Sequence, residues 1–369
     1  SRQNVPIMTT SLPSPAFHIG SRAIGADEPP FVIAEVSANH LGRIDRALET
    51  IEAAAACGAD AIKIQTYTAD TITIDHDGPG FVIEDGLWAG RSLYELYQEA
   101  QTPFEWHAEL FAKAHELGVP LFSTPFDHTA VDLLEGLDAP AYKIASFEIT
   151  DLPLIARVAQ TGKPMIMSTG MANLAEIHEA VRTARENGNT GLAVLHCLSS
   201  YPAPIEEADL RTVPHLAEAF GAVPGLSDHT HGTACAVAAV ALGARVIEKH
   251  FTLSRADGGP DGAFSLEPEE FKRLVSDCHA AGRALGQVRY ELAGCERGSV
   301  GFRRSLYVVE DIAAGAPMTV QNVRSIRPGH GLAPKWLPDI LDRKTTRALK
   351  RGEPLALDMV DWRSKGERL

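Results

Sequence analysis

No apolar run in this sequence approaches the roughly 18 residues that a membrane helix needs, which excludes a helical membrane protein. The chain does not open on a charged-then-apolar segment. Residues 1–16 read instead as a flexible tail, with Met8 a candidate native start. Cysteine is scarce: five residues, at positions 57, 197, 235, 278 and 295, form an odd, irregular set. That excludes a disulfide framework and any zinc site of recognisable spacing, and points to a reducing cytoplasm. No Gly-x-Gly-x-x-Gly follows the first apolar run, which weakens a dinucleotide-binding fold. Basic charge is also short, with 34 Lys and Arg against 48 Asp and Glu, a net of −14. Such a surface is a poor partner for nucleic acid. The shortage is uneven, because from Val300 onward 13 basic residues meet 8 acidic ones, leaving +5 there and −19 before it. Apolar residues are interspersed with that basic charge, a pattern suited to docking on the acidic body.

What the chain has in quantity is short apolar runs followed by amphipathic stretches. Phe31–Val36, Ala61–Gln65, Val119–Ser123, Ala141–Ala145, Met165–Ser168, Leu192–Cys197, Val223–Leu226 and Val246–Lys249 read as eight strands. Helical patterns separate them, as at 43–57, 104–117, 172–187 and 233–242, and a last one covers 268–285. This alternation implies right-handed parallel crossovers. Eight units favour a (β/α)8 TIM barrel over residues 17–285, of the roughly 250-residue size typical of that fold. One interval breaks the rhythm: 37 residues lie between Gln65 and Pro103, with no Lys or Arg from Thr66 to Gly90. Trp88, Leu93, Tyr94, Leu96 and Tyr97 give it apolar surface, so it reads as a partly helical flap at the barrel mouth. Residues 286–301 read as a linker. Residues 302–369 read as a compact, mostly β module, with strands near 303–309, 311–315 and 355–357.

A parallel barrel opens the C-terminal ends of all its strands onto one face, and many of these strands end in a residue able to do chemistry. Glu35 closes the first strand, where a buried carboxylate needs a partner or a raised pKa. Lys63 and Gln65 share a face of the second by alternation, and Lys143 repeats the lysine on the fourth. Buried lysines call for an anion. Hydroxyls cluster at Ser123-Thr124, Ser146, Ser168-Thr169 and Ser199-Ser200-Tyr201, where capping and anion binding are compatible. His229 and His250 end the adjacent seventh and eighth strands, with Glu248 on the face of His250. Two imidazoles there suggest a divalent metal. The ligand set alone admits several transition metals, and oxygen ligands from a substrate would favour manganese.

Taken together, the motifs Ala34-Glu35 with Asn39-His40, Lys63-Ile-Gln65, Ser123-Thr-Pro-Phe126, Tyr142-Lys-Ile-Ala-Ser146, Ser168-Thr-Gly-Met171, Leu226-Ser-Asp-His-Thr230 and Glu248-Lys-His-Phe-Thr252 closely resemble the bacterial nonulosonic acid synthases, the sialic acid synthase family. The resemblance covers about residues 17–361, and Arg324-Ser-Ile-Arg-Pro-Gly329 falls in a tail similar to that family's antifreeze-like (SAF) domain. Ser92-Leu-Tyr-Glu-Leu-Tyr97, Ser146-Phe-Glu148 and the run from Ser254 to Leu266 look most like the pseudaminic branch. Where sialic acid synthases typically carry Asn-Ile-Tyr, this chain has Ser199-Ser200-Tyr201, which fits a different sugar.

The resemblance implies condensation of phosphoenolpyruvate with a six-carbon amino sugar, 2,4-diacetamido-2,4,6-trideoxy-altrose for that branch. It assigns phosphoenolpyruvate to Lys63, Thr124, Lys143, Ser146, Ser168, Ser199 and Ser227. It assigns the sugar to Glu35, Asn39, Gln65, Tyr201, Asp261 and Arg327, and the metal to His229 and His250. Glu35 and the two histidines would be catalytic. The metal would be Mn2+, with Mg2+ or Co2+ as alternatives. It also implies a domain-swapped homodimer in which Arg327 reaches the partner's sugar. The alternatives are the same reaction on a sialic or legionaminic acid precursor, a pyruvate-using metal aldolase, or a non-catalytic carbohydrate- or ice-binding protein.

Overall fold

Apolar residues two apart decide how this chain closes. In the computed structural model, which describes residues 15–364, eight parallel strands form a closed barrel in the order β10-β3-β4-β5-β6-β7-β8-β9. They are β3 (Phe31–Glu35), β4 (Ala61–Thr66), β5 (Leu121–Pro125), β6 (Tyr142–Ile144), β7 (Met165–Ser168), β8 (Leu192–Cys197), β9 (Val223–Asp228) and β10 (Val246–His250). All eight expected strands are present, and the (β/α)8 reading holds. The expected N-terminal tail lies, as far as residue 14, outside the described residues.

Ahead of the barrel stands a hairpin that the sequence reading did not anticipate, β1 (Ala16–Ile19) paired antiparallel with β2 (Arg22–Gly25). Its Phe17, Ile19 and Ile24 pack with Phe31, Ile33, Ala61, Phe122, Ile166, Ala193, Leu195 and Val246. The hairpin thus plugs the end of the barrel opposite the strands' C-termini. Gly225 belongs to this interior because a Cβ there would meet both Leu195 Cδ2 and the Val246 carbonyl at 2.4 Å.

The crossover helices bury their apolar stripes against the outer barrel wall. They comprise α1 (Ile44–Ala56), the short flap helices α2 (Ala69–Ile72) and α3 (Leu93–Ala100), α4 (His107–Glu116), α5 (His128–Gly136), α6 (Leu152–Ala159), α7 (Leu174–Glu186), α8 (Thr212–Phe220), α9 (Ala234–Ala241) and α10 (Pro268–Leu285). Val36, Ile51, Ile62, Ile64, Leu110, Val240 and Phe271 form one outer cluster, and Ile144, Leu154, Met167, Ile177, Val194 and Leu216 another. None of the helices among the described residues is long and apolar enough to cross a membrane.

A second compact unit begins at Gln287. It contains β11 (Ser305–Val308) and β12 (Val323–Ile326), paired antiparallel, and α11 (Leu337–Ile340). The runs at 311–315 and 355–357 are not full strands; a single bridge, Ile312 to Leu349, ties in the first, and the Leu355 N–H, donating to the Leu306 carbonyl at 2.9 Å, ties in the second. Its own core is small, built on Leu306, Val308, Met318, Val323, Ile340 and Leu355. The segment expected as a linker groups with this unit, and its Val288 and Tyr290 are 89% and 99% exposed.

Candidate active site

Alternation carries the interior from apolar floor to polar mouth. Two positions beyond an inward apolar residue or glycine, each strand sets a polar side chain on the same face. Ile33 leads to Glu35, Ala61 to Lys63 and Gln65, Phe122 to Thr124, and Ala141 to Lys143. Ile166 leads to Ser168, Leu195 to Cys197, Gly225 to Ser227, and Val246 to Glu248 and His250. All but Gln65 are buried. Cys197 escaped the sequence reading, although its place in the Ala193, Leu195, Cys197 series marks it as inward.

Four charges interlock at the centre. Lys63 Nζ lies 2.7 Å from Glu35 Oε2 and 3.5 Å from Glu248 Oε1, and donates to Thr124 Oγ1 at 2.9 Å. Lys143 Nζ donates to Glu248 Oε2 at 2.7 Å. The anions nearest both lysines are the protein's own carboxylates. Burial raises the Glu35 carboxyl above its ordinary range; Lys63 opposes the rise and Glu248 adds to it. Burial also opposes charge on Glu248, yet Lys143 and Lys63 prevail and hold it below its ordinary range. Lys143 is lowered by burial and by the neighbouring charge of Lys63. Of the two carboxylates, Glu35 is thus the more ready to carry a proton. Gln65 Nε2 donates to Glu35 Oε1 at 2.8 Å and fixes its plane.

The two imidazoles stand beside this cluster with ring centroids 5.4 Å apart. His229 Nδ1 donates to the Leu198 carbonyl at 2.7 Å, which leaves Nε2 with the lone pair. His250 Nδ1 is buried without a partner. Burial, then the charges of His229, Lys63 and Lys143, hold His250 well below its ordinary pKa, in the neutral form that ligates metals. Burial opposes charge on His229, but the Cys197 sulfur 3.8 Å from Nδ1, the Leu198 carbonyl and Glu248 together outweigh it and raise its pKa. In return His229 draws the buried Cys197 thiol down to about 7. Two unclaimed ring nitrogens on adjacent strand ends fit a divalent cation whose other ligands come from water or substrate. Among the described residues no set of three His, Cys, Asp or Glu side chains is disposed to hold one alone.

A hydroxyl cradle completes the rim. Ser146 Oγ accepts the Gly170 N–H at 3.0 Å, and Ser168 Oγ and Ser199 Oγ are buried without partners. A Cβ on Gly170 would meet Ser199 Oγ at 2.2 Å and Ser146 Oγ at 2.8 Å, so only glycine lets these hydroxyls converge. Ser227 faces the same interior, opposite Cys197 in the ladder. The unspent hydroxyls of Ser168 and Ser199 are free to donate to an anion.

Aromatic side chains wall the other side. The Tyr201 ring lies 4.3 Å from that of His229 and 5.2 Å from Phe264. Trp88, from the flap, lies 5.8 Å from Tyr201 and donates its indole N–H to the Pro260 carbonyl at 2.9 Å. The flap is partly helical, and it meets the barrel mouth as expected. Asp261 is buried, accepting from Ser37 Oγ and from the Ala38 N–H. The Asn39 Nδ2 donates to the Phe251 carbonyl and Ser265 Oγ, at 2.8 and 2.9 Å, and so braces two loops, while its Oδ1 is buried without a partner. Arg327 is exposed and belongs to the second unit.

Glu148, named in the sequence only within the Ser146-Phe-Glu148 motif and given no role there, lies on the short helical turn after β6. Its Oε2 is buried without a partner, and burial, then Asp151, push the carboxyl from its ordinary 4.5 up to about 7. The folded state then holds a proton that the unfolded chain has released, so stability is intact below pH 4.5 and falls as pH rises towards 7. Glu148→Gln should remove that fall, on the order of 1–3 kcal/mol, in urea unfolding at pH 5 and 8. Equal pH dependence in both proteins would show that the carboxyl titrates normally.

The family model described as NeuB family matches residues 50–290, and that of the SAF domain matches residues 303–361. The chain belongs to the NeuB family. It is 43% identical over 336 residues to the pseudaminic acid synthase of Helicobacter pylori, spanning 90% of this chain and 98% of that protein. Identity to the N,N'-diacetyllegionaminic acid synthase of Campylobacter jejuni is 36% over 326 residues, 87% of this chain and 97% of that one. The solved N-acetylneuraminic acid synthetase of Leptospira borgpetersenii aligns with a TM-score of 0.69 at 30% identity, covering 78% of this chain and 95% of that one. The SAF match falls on the second unit.

Proposed function

We propose that this chain condenses phosphoenolpyruvate with 2,4-diacetamido-2,4,6-trideoxy-altrose, giving pseudaminic acid, a nine-carbon 2-keto acid, and phosphate. The observation that carries this reading is the meeting, on one barrel face, of two buried lysines, three converging serines, a raised carboxyl and two unclaimed imidazole nitrogens. Higher identity to a pseudaminic than to a legionaminic acid synthase supports the choice of sugar.

His229 and His250 would hold a divalent cation, Mn2+ first, and when bound it would supply Lewis-acid polarisation of the sugar aldehyde. The chain's own residues do the rest. Ser146, Ser168 and Ser199 receive the phosphate oxygens, with Ser227 beside them. Lys63 and Lys143 offset the charge that grows as phosphate leaves. The central quartet is neutral when all four groups are charged, and one proton on Glu35 makes it net positive, which favours an entering anion. The enol carbon forms the new bond to the aldehyde carbon, and cationic charge at the neighbouring carbon takes up water. Glu35, steered by Gln65, moves the proton at the sugar oxygen or at that water. Tyr201 and Asp261 face the sugar, under a flap whose Trp88 excludes water.

Arg327, with five donors in a fixed fork, suits the hydroxyls and acetamido carbonyl of the sugar. We place it at the partner's site in a swapped homodimer; the second unit's own small core supports its acting as a separate body. Five free cysteines support a cytoplasmic setting.

Phosphate release from phosphoenolpyruvate, assayed with each candidate sugar, tests the reading. Release should require both sugar and metal, and be fastest with the altrose derivative. Faster turnover of a legionaminic or sialic acid precursor would reassign the sugar. Turnover of pyruvate without phosphate would make the protein an aldolase.

A further inference from the structure

Next to each metal-binding candidate in sequence, but on the opposite face of its strand, lies one half of a buried ion pair. Asp228 precedes His229 and Lys249 precedes His250. The two are direct partners in the parallel ladder of β9 and β10. Their side chains are 1% and 0% exposed. Lys249 Nζ donates to Asp228 Oδ2 at 2.8 Å and to the Thr230 carbonyl at 2.5 Å. Asp228 Oδ1 accepts the Thr230 N–H at 2.9 Å and its hydroxyl at 2.7 Å. Every polar group of Thr230 is thereby held, and the backbone is fixed on both sides of His229.

Stability is a weak account of such a pair, because desolvating two charges costs about what their attraction returns, and apolar replacements are often no less stable. Geometry is a stronger one. His229 occupies the single position between the two residues clamped by Lys249, and the clamp's other end is the peptide neighbour of His250.

We propose that Asp228 and Lys249 are positioning residues that fix the spacing and orientation of the His229 and His250 imidazoles for a divalent cation. This rests on the metal reading above. Neither side chain touches substrate; they act through the backbone of the strand ends.

The test is the double variant Asp228→Leu/Lys249→Met, which keeps volume and leaves no lone buried charge. Mn2+ affinity is read by titration calorimetry and the histidine tautomers by nitrogen NMR of the metal-free protein. Thermal unfolding should stay within a few degrees of the parent while the Mn2+ dissociation constant rises about 10–100-fold, as for other residues that orient metal ligands. The His229 ring should lose its fixed Nδ1–H tautomer. Parental affinity and an unchanged tautomer would overturn the proposal. If the double variant does not fold, Thr230→Val removes one strand of the clamp; a several-fold loss of affinity is then expected, and none would overturn it. His229→Ala separates the two readings: if it too binds Mn2+ normally, the metal site itself is wrong.

Discussion

Replacing either His229 or His250 with Ala will leave a folded barrel that no longer binds Mn2+ and turns over at least 10³-fold more slowly, by the several kcal/mol that a metal typically supplies to such a transition state. Folding should survive because each imidazole sits at the end of its strand, above the floor formed by Phe31, Ile166, Leu195 and Val246. Little else could hold the ion, since among the described residues no third His, Cys, Asp or Glu completes a set. Loading should also weaken as pH falls. His229 has a raised pKa and must shed its proton to ligate, so protons compete with the metal there. Chelation followed by readdition of Mn2+ checks this, with calorimetry for affinity and phosphate release for turnover. Full activity after exhaustive chelation, or in the double histidine variant, would remove the metal from the mechanism.

Much of this site is legible in the sequence because a barrel strand has a period of two. Once Ile33, Ala61, Ala141 and Val246 are assigned to the interior, Glu35, Lys63, Lys143 and Glu248 must follow them there. The partners are what escape. Lys143 and Glu248 are 105 residues apart, and nothing local tells a lysine that its anion is a glutamate of the same chain and not a ligand. Cys197 and the buried carboxyl of Glu148 escaped for different reasons. The first resembles ordinary core packing, and the second follows an exposed Phe147 on a turn where no period applies. The plugging hairpin is two strands of four residues, too short to show a pattern, and its role exists only once the barrel floor is closed.

Glu35→Gln should cost about 10²–10⁴-fold in turnover with little change in either Michaelis constant, the usual scale of well-placed acid–base catalysis. The substitution preserves shape and can still meet Gln65 and Lys63, but it can neither take nor give the proton. Because burial raises this carboxyl, the parent enzyme should lose activity through an apparent pKa above the ordinary carboxylate range, and that limb should vanish in the variant. Near-normal turnover with only a raised Michaelis constant would make Glu35 a binding residue. The same variant reports on the dimer. If Arg327 serves the partner's site, a Glu35→Gln chain paired with an Arg327→Ala chain has one site with both lesions and one with neither. Each variant alone would be nearly inactive, and the mixture, once subunits exchange, should regain activity at the intact sites. No recovery in proven heterodimers, or a fully active monomer, would confine Arg327 to its own chain.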